Sequence, residues 1–234
     1  MGFEPTPDAL LPELTIRQEF VLLARALWRE GYADHLAGHI TVNLGDGTLL
    51  CNPWFITWDE LRPSQLIRID LDGTVVEGDW PAPLGIPLHL ELHKLRSDVW
   101  ADMGEIPPVH DQSSGLGGGG DLVLVDEYGG GVDSVSAARD AVVAMGDANL
   151  ALLAGHGVFV LGSTIRAVHQ RAVALEQRCQ RAWHIRAAGG RTTTAVPDWW
   201  LERGRTNDGN GFIGFWEAMA RVELRADPTI LEDR

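Results

Sequence analysis

The sequence predicts an α/β domain whose central sheet is mostly antiparallel and flanked by helices. Three observations predict it. Strand, turn and helix patterns are mixed along the chain without a regular βαβ alternation. Two short apolar segment pairs are each joined through Asp-Gly, at Asp46-Gly47 and Asp72-Gly73, which is a hairpin signal because glycine accepts positive φ. The 234 residues carry no linker-like stretch, so one large domain accommodates them. A chain of this size buries roughly 70% or more of its unfolded surface and needs no disulfide or metal staple.

In chain order, residues 1–14 read as a flexible N-terminus. A helix follows from Thr15 to Glu30, with Thr15 and Gln18 at capping-box spacing, an apolar face of Leu22, Leu23, Ala26 and Leu27, and Gly31 as its stop. His39 to Asn43 alternates as a half-buried strand and pairs through Asp46-Gly47 with Thr48 to Cys51. Leu66 to Leu71 and Thr74 to Glu77 form the second hairpin. Pro87 suits the first turn of a helix running to Arg96. Gly115 to Gly120 lacks the GxGxxG spacing and reads as a loop, so no nucleotide cofactor is expected. A helix from Val135 to Met145 precedes the apolar strands Leu150 to Leu153 and Val158 to Leu161. Ser163 is placed to cap a helix reaching Ala188, ~38 Å long. Residues 191–234 form a C-terminal extension whose Gly211 to Arg225 segment is a last helix.

Net charge is −14 and the pI about 4.9. Without a basic stripe, such a surface repels phosphate backbones and anionic membranes, so neither nucleic acid nor membrane is expected as a partner. No apolar run approaches the ~20 residues of a membrane span. The N-terminal stretch lacks the basic and apolar regions of a secretory signal, which points to a cytoplasmic protein. Cys51 and Cys179 fit no metal or disulfide spacing and read as reduced thiols.

Five motifs then fall in a recognisable order: Ala37-Gly38-His39-Ile40-Thr41-Val42, Asn52-Pro53-Trp54, Asp70-Leu71-Asp72-Gly73, Pro87-Leu88-His89 and Leu153-Ala154-Gly155-His156-Gly157. In that order the chain resembles the class II aldolase/adducin family from about Leu22 to Gly190. The tail from Phe215-Trp216-Glu217 to Asp227-Pro228 is similar to its decarboxylase-like and aromatic-biosynthesis branch. The resemblance implies a three-layer α/β/α sandwich, a homotetramer with active sites between subunits, and a divalent zinc, manganese or iron held by three histidines. Such a metal stabilises the enolate left when a carbon–carbon bond breaks.

Two of those histidines normally form a His-x-His strand after Arg-x-Asp-Val, here Arg96-Ser97-Asp98-Val99. Trp100-Ala101-Asp102-Met103-Gly104-Glu105 follows instead, then Ile106-Pro107-Pro108-Val109-His110, which resembles a later family segment. The simplest alignment removes about a dozen residues, a length equal to a strand and its turn, and both histidines with them. Either Trp100 to Met103 slides into the vacated place or the domain rests more heavily on its oligomer.

The third ligand survives as His156. Gly85 stands where many members carry an acid four residues before the helix histidine, His89, and Ala82 and Pro83 stand where the sugar-phosphate aldolases carry phosphate-binding serines. The resemblance therefore favours a small, non-phosphorylated oxo- or hydroxy-acid as substrate. His110 and Asp111 are the candidate catalytic pair, imidazole beside carboxylate being suited to acid–base work near neutral pH. Gly38, His39, Asn52 and Trp54 are the candidate substrate-binding residues, with His35 and Trp58 beside them.

His89 and His93, four apart on a helix, are a packed or surface pair before they are a metal pair, since the position after the first histidine is Leu90 rather than the glutamate of HExxH. Asp102 and Glu105 read as ordinary acids in an acidic chain, and His169 and His184 as structural residues of the long helix. The functional expectation is a metal-assisted lyase, a decarboxylase or retro-aldolase. The alternatives are a non-catalytic, metal-free scaffold, a metal-free acid–base enzyme, and an iron oxygenase-like enzyme.

Overall fold

The computed structural model describes residues 10–32, 35–96, 101–104, 122–125, 134–153, 157–189, 199 and 214–232. Helix α1 spans Ile16–Arg29. Its capping box is complete: the Thr15 amide donates to Gln18 Oε1 at 2.9 Å, and the Gln18 amide donates to Thr15 Oγ1 at 3.3 Å. Strands β1 (His39–Asn43), β2 (Thr48–Cys51), β3 (Ile67–Asp70) and β4 (Val75–Glu77) form the two hairpins. Gly47 and Gly73 each take φ 86° in the turns, while Asp70 Oδ1 accepts the amides of Asp72 and Thr74, both at 2.9 Å. Helix α2 is Ile86–Leu95, with Pro87 in its first turn. Next come β5 (Ala101–Gly104), β6 (Leu122–Val125), α3 (Val135–Met145), β7 (Leu150–Leu153), β8 (Gly157–Gly162), α4 (Ile165–Ala187) and α5 (Phe215–Ala226).

The eight strands make one sheet in the order β4-β3-β2-β1-β5-β8-β7-β6. All neighbours are antiparallel except the parallel pair β6–β7. The place between β1 and β8 is taken by Ala101–Gly104, so the chain after Arg96 does slide into the central position. Thr41 pairs with Asp102 and Asp102 with Leu161, which keeps the backbone ladder continuous across the sheet.

Period-two alternation then sorts the side chains into layers. Ile40, Val42, Leu50, Leu150, Leu152, Val158 and Val160 pack with α1, α4 and α5 on one face. Ala151, Leu153, Phe159 and Leu161 pack with α2 and α3 on the other, where Leu49, Cys51, Ile67 and Ile69 meet α2. The result is a three-layer sandwich.

Four expectations change. Strand β1 is buried on both faces from Ile40 to Val42 rather than half-buried, because helices cover both sides of the sheet. Thr164, not Ser163, caps α4: its Oγ1 accepts the Ala167 amide at 3.1 Å. The last helix starts at Phe215 behind Gly214, whose φ of 84° breaks the helical run there. Strand β6 was not anticipated, because four apolar residues after a glycine-rich stretch carry no turn signal of their own. The Gly115 to Gly120 segment lies outside the described residues.

Helix α5 is locked to the first layer by buried charge. Arg29 meets Glu223 as a fork, with Nε to Oε1 at 2.5 Å and Nη2 to Oε2 at 3.1 Å. Arg166 Nε donates to Glu217 at 2.6 Å, and Asp227 accepts from both Arg25 and Arg62. Beneath this lies His169, fully buried on α4 with the rings of Phe215 and Trp216 at 4.9 and 5.3 Å. Among the described residues neither of its ring nitrogens meets a hydrogen-bond partner, and burial pushes its pKa down to about 4.

The unfolded imidazole takes a proton near pH 6.5 and the folded one only near 4. Stability is therefore whole above the unfolded pKa and is lost as pH falls between the two values, by about 3 kcal/mol. His169→Phe, which fits the same aromatic surroundings, is expected to flatten the fall of Tm between pH 6.5 and 4. Thermal unfolding across that range checks it; an unchanged slope would place the acid sensitivity in other groups.

Candidate functional site

Register brings the site together at one end of the sheet. His39 opens β1, Gly104 ends β5 directly opposite it, and Gly104 in turn faces Phe159 on β8. Strand β7 ends and β8 begins at the paired residues Leu153 and Gly157, at this same end. The N-terminus of α2 arrives here as well. Residues 154–156, which carry His156, join β7 to β8 at this end, and residues 105–121, which carry His110 and Asp111, leave β5 here and enter β6 at the opposite end; these residues lie outside the described part of the chain.

His39 is half-buried, and its setting is unusually tight. A Cβ built on Gly85 would lie 2.3 Å from His39 Cε1 and 2.8 Å from Nδ1, so the imidazole occupies the space that a side chain at position 85 would need. The backbone on both sides of His39 is held by Asn52, buried behind it. Asn52 Oδ1 accepts the Ile40 amide at 2.8 Å, and its Nδ2 donates to the Gly38 carbonyl at 3.2 Å. Both ends of that amide are engaged in fixing the 38–40 segment. Gly38 serves the same end by allowing close approach, since a Cβ there would stand 2.6 Å from Trp58 Cζ2. Trp58 is buried in the core. Trp54 is half-buried in the neighbouring loop, its amide donating to the Pro81 carbonyl at 2.9 Å.

Behind His39 lies the packed histidine pair that the spacing indicated, with a bridging threonine that it did not. His89 and His93 project from one side of α2 and meet a single hydroxyl: Thr41 Oγ1 stands 3.1 Å from His89 Nδ1 and 2.9 Å from His93 Nε2. All three side chains are buried. A hydroxyl that donates to one ring and accepts from the other couples the tautomers of the two histidines. The His89 ring also sits edge-on to His39 at 5.6 Å and to Phe159 at 5.3 Å. The i,i+4 spacing was a usable signal for this pair; that a threonine on β1 would bridge it depends on register, which spacing does not supply.

His35 is exposed at φ 54° ahead of β1, and His184 is exposed on α4. Cys51 is buried and donates to the Asn52 carbonyl, and burial pushes the half-buried Cys179 thiol up to about 11.

A metal of the family type does not fit the described residues. No group of three or more His, Cys, Asp or Glu among them is placed to hold an ion. The strand position beside His39 is glycine, and the Thr41 hydroxyl stands between His89 and His93.

The His39–Gly85 packing makes a specific demand on the chain. Gly85→Ala is expected to displace the His39 ring and destabilise the fold by about 1–3 kcal/mol. Denaturant unfolding together with the His39 ring resonances in an NMR spectrum checks this. An unmoved His39 signal would show that the imidazole is not seated on position 85.

Comparison with known proteins agrees with this architecture. The sequence profile of the Class II Aldolase and Adducin N-terminal domain matches residues 18–183. The chain is 28% identical over 198 residues to the 3,4-dihydroxyphthalate decarboxylase of Arthrobacter keyseri, covering 74% of this chain and 80% of that protein. It is 27% identical over 189 residues to the 5-methylthioribulose-1-phosphate/5-deoxyribulose-1-phosphate aldolase of Rhodospirillum rubrum, covering 73% and 81%. Among solved structures, an aldolase II superfamily protein from Pseudomonas syringae superposes with a TM-score of 0.77 at 22% identity, over 93% of this chain and 95% of that one. With strands, layers and motif order all in accord, this chain belongs to the class II aldolase and adducin family.

Proposed function

We propose that the protein is a carbon–carbon lyase, a decarboxylase or retro-aldolase, acting on a small, non-phosphorylated oxo- or hydroxy-acid. The observation that carries this is a half-buried imidazole, His39, fixed at the open end of the family's sheet by Asn52 and by the absent side chain of Gly85. The relative from Arthrobacter keyseri, a decarboxylase by name, supports the reaction class. Residues 79–85 and 52–57 contain no lysine or arginine, which supports the lack of a phosphate group on the substrate.

When such a bond breaks, its electron pair passes into the neighbouring carbonyl or ring and the carbon then takes a proton. In a decarboxylation carbon dioxide leaves; in a retro-aldol cleavage an aldehyde leaves after its hydroxyl has lost a proton. Imidazole is suited to both proton movements near neutral pH. In this reading His39 works from β1, with His110 and Asp111 as the further proton-handling pair, while the edge-on His89 ring keeps His39 from turning inward. Gly38 and Asn52 act by holding the His39 backbone, and Trp54 borders the substrate.

His156 is the remaining family-type metal ligand of this reading. Function in a homotetramer is part of it as well. No helix among the described residues is long and apolar enough to cross a membrane.

A coupled assay for carbon dioxide or aldehyde release, run over a panel of oxo- and hydroxy-acids, tests the reaction class. His39→Gln is expected to lower kcat by ~10²–10⁴-fold with KM little changed. The absence of turnover over the whole panel would leave the non-catalytic scaffold as the better account. A metal held through His156 predicts about one zinc, manganese or iron per chain in dialysed protein, lost in His156→Ala. Elemental analysis of both proteins reads this directly, and a metal-free wild type would remove His156 from the proposal.

A further inference from the structure

We infer that Thr41 is a positioning residue: its hydroxyl locks the buried His89 and His93 in one shared tautomer and, through the His89 ring, fixes the imidazole of His39. The inference deepens the lyase reading, on which the reacting role of His39 rests, while its own test needs no substrate. Strand and helix periods make the arrangement. His39 and Thr41 are two residues apart on β1, so both stand on the face that α2 covers, whereas Ile40 and Val42 pack with the other layer. Gly85, His89 and His93 follow one another at intervals of four residues along one side of α2 and its N-cap. His39 therefore rests on Gly85 with the His89 ring one turn further on, and Thr41 meets His89 and His93 together.

One hydroxyl hydrogen serves two rings, with Oγ1 3.1 Å from His89 Nδ1 and 2.9 Å from His93 Nε2. Two neutral arrangements satisfy it. In the first, the hydroxyl donates to His89 Nδ1, so His89 carries its proton on Nε2, and His93 donates from its own Nε2. In the second, the hydroxyl donates to His93 Nε2, so His93 carries its proton on Nδ1, and His89 donates from its own Nδ1. Both rings are thus protonated on the nitrogen of the same name, and a change in one requires a change in the other. A mixed pair would aim two donors at the hydroxyl, or set two acceptors before its single hydrogen. With Thr41 0%, His89 1% and His93 6% exposed, bulk water does not compete for these contacts.

What reaches His39 is an orientation. The His89 ring touches two further rings, His39 at 5.6 Å with 75° between the planes and Phe159 at 5.3 Å with 73°. Packing alone hardly distinguishes an imidazole from the same ring turned over about χ2, because its outline is nearly the same either way and that torsion is roughly two-fold. The contact with Thr41 selects the turn that brings Nδ1 to the hydroxyl, and so decides which edge His89 presents to its neighbours. The His89 nitrogen remote from Thr41 is a donor in one arrangement and an acceptor in the other. Thr41 thereby sets both the shape and the polarity of the surface against which His39 is held.

The test is a long-range proton–nitrogen correlation spectrum of the full chain carrying isotope-labelled histidine, recorded above neutral pH, where the ring nitrogen shifts read the tautomer. In the wild type, His89 and His93 are expected to be neutral and protonated on the same-named nitrogen. His93→Leu lets the hydroxyl either donate to His89 or accept from it, so the two His89 nitrogen shifts are expected to move toward each other as the tautomers mix. Thr41→Val keeps the side-chain outline without the hydrogen bonds and is expected to uncouple the two rings and shift the His39 ring resonances. Thr41→Ser is expected to return both to their wild-type positions, which a merely space-filling role for Thr41 does not predict. Opposite tautomers in the wild type, tautomers unchanged in Thr41→Val or His93→Leu, an unmoved His39 in Thr41→Val, or no recovery in Thr41→Ser would each overturn the inference. If Thr41→Val fails to fold, the wild-type and His93→Leu spectra decide the coupling by themselves. Matched, coupled tautomers in a protein that turns over no substrate uphold the role of Thr41 and count only against the lyase reading.

Discussion

The backbone ladders of β5 are the constraint on which the sheet depends. On one side of it lie β4, β3, β2 and β1, and on the other β8, β7 and β6. Without a strand between Thr41 and Leu161 the two halves would each present an open edge inside the domain, with amides and carbonyls that α2 cannot satisfy. Only four residues close that gap. The requirement they meet is one of main-chain geometry, so the position tolerates a sequence, Ala-Asp-Met-Gly, that no strand propensity would select.

That explains which parts of the fold were legible in the sequence. The capping box at Thr15, the two Asp-Gly hairpins, Pro87 in the first turn of α2 and the apolar strands around Gly157 all carry local chemistry, and each appears within a residue or two of its expected place. Strands β5 and β6 are held by neighbours distant in sequence, β1 and β8 for the first and β7 for the second. Their pattern is a product of tertiary context, which a local reading does not contain.

The candidate site divides along the same line. His39, Gly38, Asn52 and Trp54 could be picked out by motif, yet their division of labour could not. Asn52 directs its whole amide to the backbone, Gly38 makes room for Trp58, and Trp54 is tied to a loop nearly thirty positions away in sequence. Thr41 looked like an ordinary strand residue, and only the burial of both sheet faces turned its hydroxyl toward two histidines.

The pairing of His39 with Gly85 also restricts how this chain can change over generations. Because the imidazole fills the volume beside Cα of residue 85, a larger residue at 85 costs less stability once position 39 has become smaller. The reverse route to a histidine at 39 is easier with glycine already at 85. Of the two orders in which a double replacement might be assembled, one carries a steric penalty at its midpoint, so the present combination is more easily kept than left, and more easily left from position 39 than from position 85.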